Sequence, residues 1–540
     1  MSHVEDADEH IDNETEPPDT PPGGRSGFFK NLSPFWHDRL IEGALIVSMA
    51  LYYIIGNVHL GKGTLFHINP LVSLPFLLIF AVLCWYRLNF ALALLPLGLP
   101  YYPLQKVVFS HYEFSIAEIA LGVCVVVFLL QLVLRRQRWH LRALWRDVRD
   151  SLAPFALPVL VFFLAAAFSI VIAYTRRDAF RAFYEEVLGP LVYLLLALVC
   201  LRSRRDITRL LLAMIGTGFV VALLGLAQYF FFHNLLVLES DGIRRVHAMY
   251  GSANSIGLLF DYVMPVGLAL IVSKIRPAVG ILESLWFRVV LIVVYIPMFY
   301  ILYLSQSRGA WFAIGAALVF IVALSMPNRK VLLIGGLAFI VVIAAVVLAF
   351  HTRLDEFIIG GHSDVNGVSS LDKRFYLWQV ALNMIHDSPW FGYGMDNWLC
   401  HYSRNTVCLT PHLYHYWYSV PGAFRTLRDE PDLSHPHNIF LHVWVSMGVF
   451  GLLAFVSVLI LFYWLFARIL MHVHSNKVRG KWRLRWMTIG VGAAMLAALV
   501  QGQVDSAFLE QDLAFCFWIL VAALLLLRVL SKTPWREGTQ

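Results

Sequence analysis

The sequence is poor in charge and in cysteine, and it lacks the short signatures of common soluble enzymes. Only 14% of its 540 residues are Asp, Glu, Lys or Arg, against 59% hydrophobic residues. Soluble domains carry about 25% charged residues, so a chain of ordinary soluble domains is excluded. The mean hydropathy is +0.68. There is no Cys-x-x-Cys and no His-Glu-x-x-His, which removes the usual zinc and thiol-redox patterns. Six cysteines are present. Cys84, Cys124, Cys200 and Cys516 stand in apolar runs as small core residues. Cys400 and Cys408 share one polar segment, where a disulfide is open to them if that segment lies outside the cytoplasm. The first 24 residues hold eight acidic side chains and no Lys or Arg, and they end in Pro and Gly. Such a stretch cannot bury a core, and its acidic start excludes a signal peptide. The formal charge of +7 therefore hides a tail of −8 and leaves +15 for the rest. That excess reports membrane topology rather than nucleic-acid binding.

What the chain does contain is apolar runs of about 17–25 residues, the length that crosses a hydrocarbon core of roughly 30 Å. They fall at 41–59, 70–86, 89–104, 114–134, 154–175, 186–201, 209–232, 255–273, 288–304, 309–325, 331–350, 438–467, 486–503 and 513–530. The expected fold is an all-α polytopic membrane protein with about 12–14 transmembrane helices and one long periplasmic loop containing short amphipathic helices. Arginine-rich loops, among them RRQRWHLRALWRDVR after the fourth run and RSRRDITR two runs later, all fall on one side when the spans alternate. By the positive-inside rule that side is cytoplasmic, and both termini are with it. The organisation expected is a disordered acidic cytoplasmic tail over 1–38, an N-terminal transmembrane bundle over 39–350 and a periplasmic loop over 351–437. C-terminal transmembrane helices over 438–530 and a cytoplasmic tail over 531–540 complete it. Within the loop, Leu371, Phe375, Trp378, Leu382 and Ile385 make a helical stripe. Ser369 and Asp372 stand as its capping box, and Asp387-Ser388-Pro389 ends it.

Candidate chemistry stands on the far side of the membrane. Arg176, Arg177 and Arg181 in one short loop, Arg244 and Arg245 in the next, Arg308 in the tight turn SQSRGAW, and Arg374 in the long loop all break the rule that translocated loops lack basic residues. Such charges either snorkel and pair with Asp178, Glu185, Glu186 or Asp241, or they serve a ligand. The Arg308 turn holds no acidic residue, so the second reading is strongest there. A guanidinium fork matches phosphate oxygens, which suits a lipid diphosphate whose tail lies in the bilayer. His435 and His437 in Ser434-His435-Pro436-His437-Asn438 precede an apolar run. They are either interfacial caps or a base for a sugar hydroxyl, with Asn438 orienting base or substrate. His401, His412 and His415 have no regular metal-ligand spacing, so no metal is expected. The segment GNVHLGKG at 56–63 misses the Ser or Thr of a phosphate-binding loop.

Taken together, SQSRGAW, Arg374 through Trp378, SPWFGYGMDNW and HPHNIFLHVWVSMGVFG, with RRVHAMYGSANSIG upstream, resemble the bacterial O-antigen ligase and polymerase family, over about 240–460. The resemblance implies a membrane glycosyltransferase that takes a glycan from undecaprenyl diphosphate on the periplasmic face of the inner membrane, with inversion and without cofactor or metal. The acceptor it implies is lipid A–core for a ligase, a growing glycan for a polymerase, or a Ser or Thr for protein-glycosylating members. Membrane lipid is the surrounding partner, and no nucleic acid is expected. On matched positions it makes His437 catalytic. Arg245 and Arg308 fall on the diphosphate-binding positions, with Arg244 the fallback for a one-residue shift. Arg374 matches a family arginine, and Arg181 and Asn438 complete the expected substrate-binding set. The acidic tail, the number of spans and the His-rich stretch 400–418 depart from the pattern and leave the acceptor open. A flippase or transporter for lipid-linked sugar is the rival of another class. It would more often place its charges near the bilayer midplane, whereas these cluster at one face. A receptor or scaffold is weaker still.

Overall fold

A computed structural model describes residues 34–55, 58–60, 63–64, 70–108, 112–134, 141–238, 244–274, 281–325, 370–403, 415–423, 427, 433–475 and 481–532. The helices are α1 (Pro34–Ile54), α2 (Leu74–Tyr86), α3 (Leu88–Leu94), α4 (Ile116–Leu134), α5 (Leu141–Leu152), α6 (Ala156–Ile172), α7 (Arg176–Ala182), α8 (Gly189–Cys200) and α9 (Arg204–Phe231). They continue with α10 (Ala253–Val272), α11 (Leu285–Ser305), α12 (Arg308–Ser325), α13 (Ser370–Asp387), α14 (Trp398–Tyr402), α15 (Ile439–Ser475), α16 (Lys481–Gln501) and α17 (Gln511–Lys532). Among the described residues, nine helices are long and apolar enough to cross a membrane. A further apolar pair, Leu71–Tyr86 with Leu88–Tyr101, is bent by 115° at its break, the geometry of a broken span or a re-entrant loop. Helix α6 is a shorter apolar helix. The fold is the all-α polytopic membrane protein that the apolar runs imply. The run at 331–350 and the capping residue Ser369 lie outside the described residues.

The centre and the periphery differ in burial, not in hydropathy. The core windows of α10, α17 and α16 are 89%, 83% and 78% buried by other parts of the chain, whereas those of α11 and α12 are 33% and 28% buried. Helix α10 is apolar on every side because it is surrounded by protein; α11 and α12 are apolar on their outer faces because those faces meet lipid. Two small strand pairings, one of four short strands and one joining Val237–Leu238 to Arg244–Arg245, lie between helices.

The structure differs from the sequence reading in three places. Residues 1–33 of the expected tail lie outside the described residues, and residues 34–38 open α1 instead of remaining irregular. Arg209 at the start of α9 holds that turn, with Asp38 at 3.1 Å and Glu42 at 2.7 Å. Secondly, Arg176, Arg177 and Arg181 do not stand in a loop. They occupy the first turns of a helix that runs through a π-helical turn, Phe183–Leu188, into α8. A hydropathy window does not register polar turns of this kind. Thirdly, the apolar run that opens at Asn438 is not one unbroken helix. Gly448 sits at φ 69° and ψ −172° inside α15, a backbone region that essentially only glycine adopts.

That break is filled by the segment after α13. The backbone N–H of Tyr393 donates to the Val445 carbonyl at 2.7 Å, and that of Gly394 to the Ser446 carbonyl at 3.1 Å. The Val449 N–H donates to the Pro389 carbonyl at 3.0 Å. Peptide groups freed by the break are thus satisfied inside protein, as the apolar surroundings require. A Cβ at Gly448 would lie 2.0 Å from the Trp390 carbonyl oxygen. Gly448→Ala is therefore expected to lower the thermal midpoint of the purified protein sharply or to prevent its accumulation. Gly122→Ala, whose added methyl meets nothing within 4 Å, is expected to retain it. Equal midpoints in a thermal melt would contradict this account of the break.

Candidate active site

Three segments far apart in sequence converge at one end of the bundle. The first is the approach to α15. Asn438 caps that helix: its side-chain oxygen accepts from the Phe440 and Leu441 backbone N–H groups at 3.0 and 3.1 Å. Its side-chain nitrogen donates to the Gln503 carbonyl at 3.0 Å. Both ends of the Asn438 amide are therefore engaged by backbone. The cap places His437 immediately outside the helix, at φ 51°, a left-handed conformation that among non-glycine residues Asn, Asp and His adopt most often.

The second segment is the turn between α16 and α17, residues 502–510, which is where sequence reasoning missed a residue. Asp505 is buried, and its Oδ1 lies 2.8 Å from His437 Nδ1 and 3.2 Å from His435 Nε2. The same oxygen accepts the Ser506 backbone N–H at 2.9 Å. Ser434 Oγ meets His435 Nδ1 at 2.9 Å, and His442 Nδ1 meets Ser506 Oγ at 2.5 Å. Burial alone would raise the Asp505 carboxyl, but the imidazoles of His437 and His435 outweigh it and hold that carboxyl well below the usual range. Burial, and then the neighbouring His437, push His435 below the ordinary imidazole range. The hydrogen bonds are satisfied when His437 carries its proton on Nδ1, directed at Asp505. Its Nε2 lone pair is then free to accept a proton. The signal that could have found Asp505 was present in sequence: a carboxylate in a short turn between two apolar spans is costly and functional by default.

The third segment is the Arg308 turn. Gln306 at φ 52° closes α11, and Arg308 opens α12. Gln501 Nε2 lies 3.5 Å from Ser307 Oγ. A Cβ on Gly309 would sit 3.2 Å from Gln501 Cγ and 3.4 Å from Val504 Cγ2. The Arg308 turn thus backs directly onto the segment whose next residue, Asp505, holds the histidines. Arg245 is brought to the same end, because Val246, the next residue, donates its N–H to the Leu304 carbonyl at 3.5 Å. Arg245 is half-buried and Arg244 exposed.

The remaining sequence candidates take other positions. Arg374 on α13 donates from Nε to the Val504 carbonyl at 2.6 Å, and Trp378 donates from Nε1 to the His437 carbonyl at 3.2 Å. Helix α13 therefore braces both the Asp505 turn and His437. Arg181 is paired with a neighbouring carboxylate. Its Nε is 2.8 Å from Glu185 Oε1, within an acidic neighbourhood that includes Glu118 and Asp396. Asp396 lies outside the spans; burial and then Asp178 raise its carboxyl to about 6. Cys400 is disulfide-bonded, and the other four described cysteines are free. Its expected partner Cys408, and His412, lie outside the described residues. Among the described residues, one group has the composition and closeness of a metal-ligand set: His435, His437 and Asp505, whose ligand atoms lie within 4.8 Å of one another.

The chemistry available is a histidine base held by a buried carboxylate, beside a turn that carries an arginine at the edge of the membrane bundle. Residues 293–456 match the family model described as O-antigen ligase. That stretch holds the Arg308 turn, α13 and the histidines; Arg245 and Asp505 lie outside it. No curated protein matches the chain. Residues 293–456 are thus similar to the O-antigen ligase and polymerase family, whose activity is of the glycosyltransferase type.

Proposed function

We propose that the chain is an O-antigen ligase: a multi-pass inner-membrane glycosyltransferase whose site faces the periplasm and which joins a glycan from undecaprenyl diphosphate to lipid A–core, with inversion and without metal. The observation that carries this reading is the His437–Asp505 contact of 2.8 Å on a turn packed against the Arg308 turn. His437 Nε2 takes the proton of the acceptor hydroxyl, and the hydroxyl oxygen attacks the anomeric carbon opposite the departing diphosphate. The bond from that carbon to the diphosphate oxygen breaks as the new glycosidic bond forms. Negative charge grows on the leaving diphosphate, where Arg308 and Arg245 stabilise it. Asp505 holds the His437 tautomer and the imidazolium that forms. Arg374 and Asn438 position this machinery through backbone contacts.

The sidedness rests on the arginine-rich loops. With them in the cytoplasm, both termini, including tail 531–540, are cytoplasmic, and segment 351–437 with the site is periplasmic. Segments 39–350 and 438–530 are then the transmembrane bundles, and the donor's lipid tail lies in the bilayer beside them.

A polymerase of the same family would use the same chemistry on a growing glycan. Gene deletion separates the two. Full-length glycan accumulating on undecaprenyl diphosphate, with unsubstituted lipid A–core at the surface, is expected of a lost ligase. Surface glycan reduced to a single repeat would overturn the ligase reading in favour of a polymerase.

A further inference from the structure

We propose that His435, His437 and Asp505 form an inhibitory binding site for a divalent transition-metal ion of the zinc type. This inference rests on the reading of His437 as the base. Two imidazole nitrogens and one carboxylate oxygen are a borderline-soft donor set that suits Zn²⁺ and not Mg²⁺ or Ca²⁺, which take oxygen ligands. The geometry is close to what a tetrahedral ion needs. Bonds of 2.0–2.1 Å place neighbouring ligand atoms about 3.3 Å apart, and Asp505 Oδ1 already lies 3.2 Å from His435 Nε2 and 2.8 Å from His437 Nδ1. All three ligand atoms lie within 4.8 Å of one another; closing the two imidazoles around the ion completes the site, and a water or a substrate oxygen supplies the fourth ligand. Ser434 Oγ at His435 Nδ1 is the outer hydrogen-bond partner that keeps Nε2 directed at the ion. The histidines are 12% and 17% exposed, so the site has a path to solvent.

Inhibition follows from the imidazole tautomer. In the tautomer that donates from His437 Nδ1 to Asp505, Nε2 is the lone pair. When Nδ1 binds zinc, the ring proton stands on Nε2 instead. Nε2 becomes a donor and can no longer accept the acceptor's proton. Nothing is oxidised or reduced, and the proton only changes nitrogen.

The test is a zinc titration of the purified full-length chain in detergent, using a competing chromophoric chelator and zinc chloride as the probe. Wild type is expected to bind one ion with micromolar affinity. His435→Gln and Asp505→Asn are each expected to weaken binding by more than about 100-fold, and Ser434→Ala by about 10-fold, as for loss of an outer partner. Gel filtration and circular dichroism verify that each variant is folded. Transfer by wild type should fall as this site fills and recover on chelation. Absence of zinc binding by wild type, unchanged binding by folded His435→Gln and Asp505→Asn, or transfer that requires the ion would each overturn the inference. Because binding is read without turnover, a chain that binds zinc as described but transfers no glycan would instead overturn the proposed function.

Discussion

His437→Ala is expected to lower glycan transfer by about 10²–10⁴-fold, the range that a positioned general base supplies. The loss should fall on the chemical step and leave donor binding close to wild type, because in the proposed mechanism His437 acts on the acceptor hydroxyl and not on the diphosphate. One structural detail governs how the experiment is built. His437 sits at φ 51°, where an alanine is strained and an asparagine is tolerated. His437→Asn therefore removes the base while suiting the backbone, and it should match the alanine variant in lost transfer while retaining a wild-type melting profile. Asp505→Asn keeps the shape of the carboxylate but not its charge. It is expected to lower kcat more than it raises KM, by less than the loss of His437, because the base remains but its tautomer is no longer held. Transfer within a few-fold of wild type by folded His437→Asn would remove His437 from the mechanism.

Arg308→Lys is expected to reduce transfer by about 10²–10³-fold, comparable to losing one donor that stabilises developing negative charge. Lysine keeps the charge but not the planar fork that grips two phosphate oxygens. The effect should appear in kcat and in the affinity for the lipid diphosphate, and it should exceed that of Arg181→Lys, since the Arg181 guanidinium is held by Glu185 at 2.8 Å. Equal donor binding and turnover by wild type and Arg308→Lys would show that the diphosphate is held elsewhere.

The sequence makes the spans legible because a lipid environment leaves the backbone almost no choice but helix. It does not show which spans are central. Helices α10 and α12 have similar hydropathies, 2.0 and 1.8, yet their windows are 89% and 28% buried; lipid and protein interior are both apolar and select the same residues. The Gly448 break was hidden for a related reason, since an apolar run reads as continuous whether or not another segment inserts its backbone into it. Of the candidate site residues, His437 and Arg308 stand out in sequence because each is a polar residue directly beside an apolar run. Asp505 carries the signal of a carboxylate between two apolar spans, but its pairing does not show in sequence, because His437 lies 68 residues away. Arg374 and Asn438 are expected from sequence as substrate-binding residues; the contacts they make to the Val504 and Gln503 carbonyls depend on how that same turn folds.

The central claim is that this chain itself transfers glycan, with His437 as base. The most direct measurement combines purified full-length protein in detergent with undecaprenyl-diphosphate-linked glycan and lipid A–core, in the presence of a metal chelator, and follows new glycosidic product by gel shift and mass spectrometry. Glycan-modified lipid A–core from wild type, and almost none from folded His437→Asn, is the predicted result. No product from wild type, or equal product from both proteins, would contradict it.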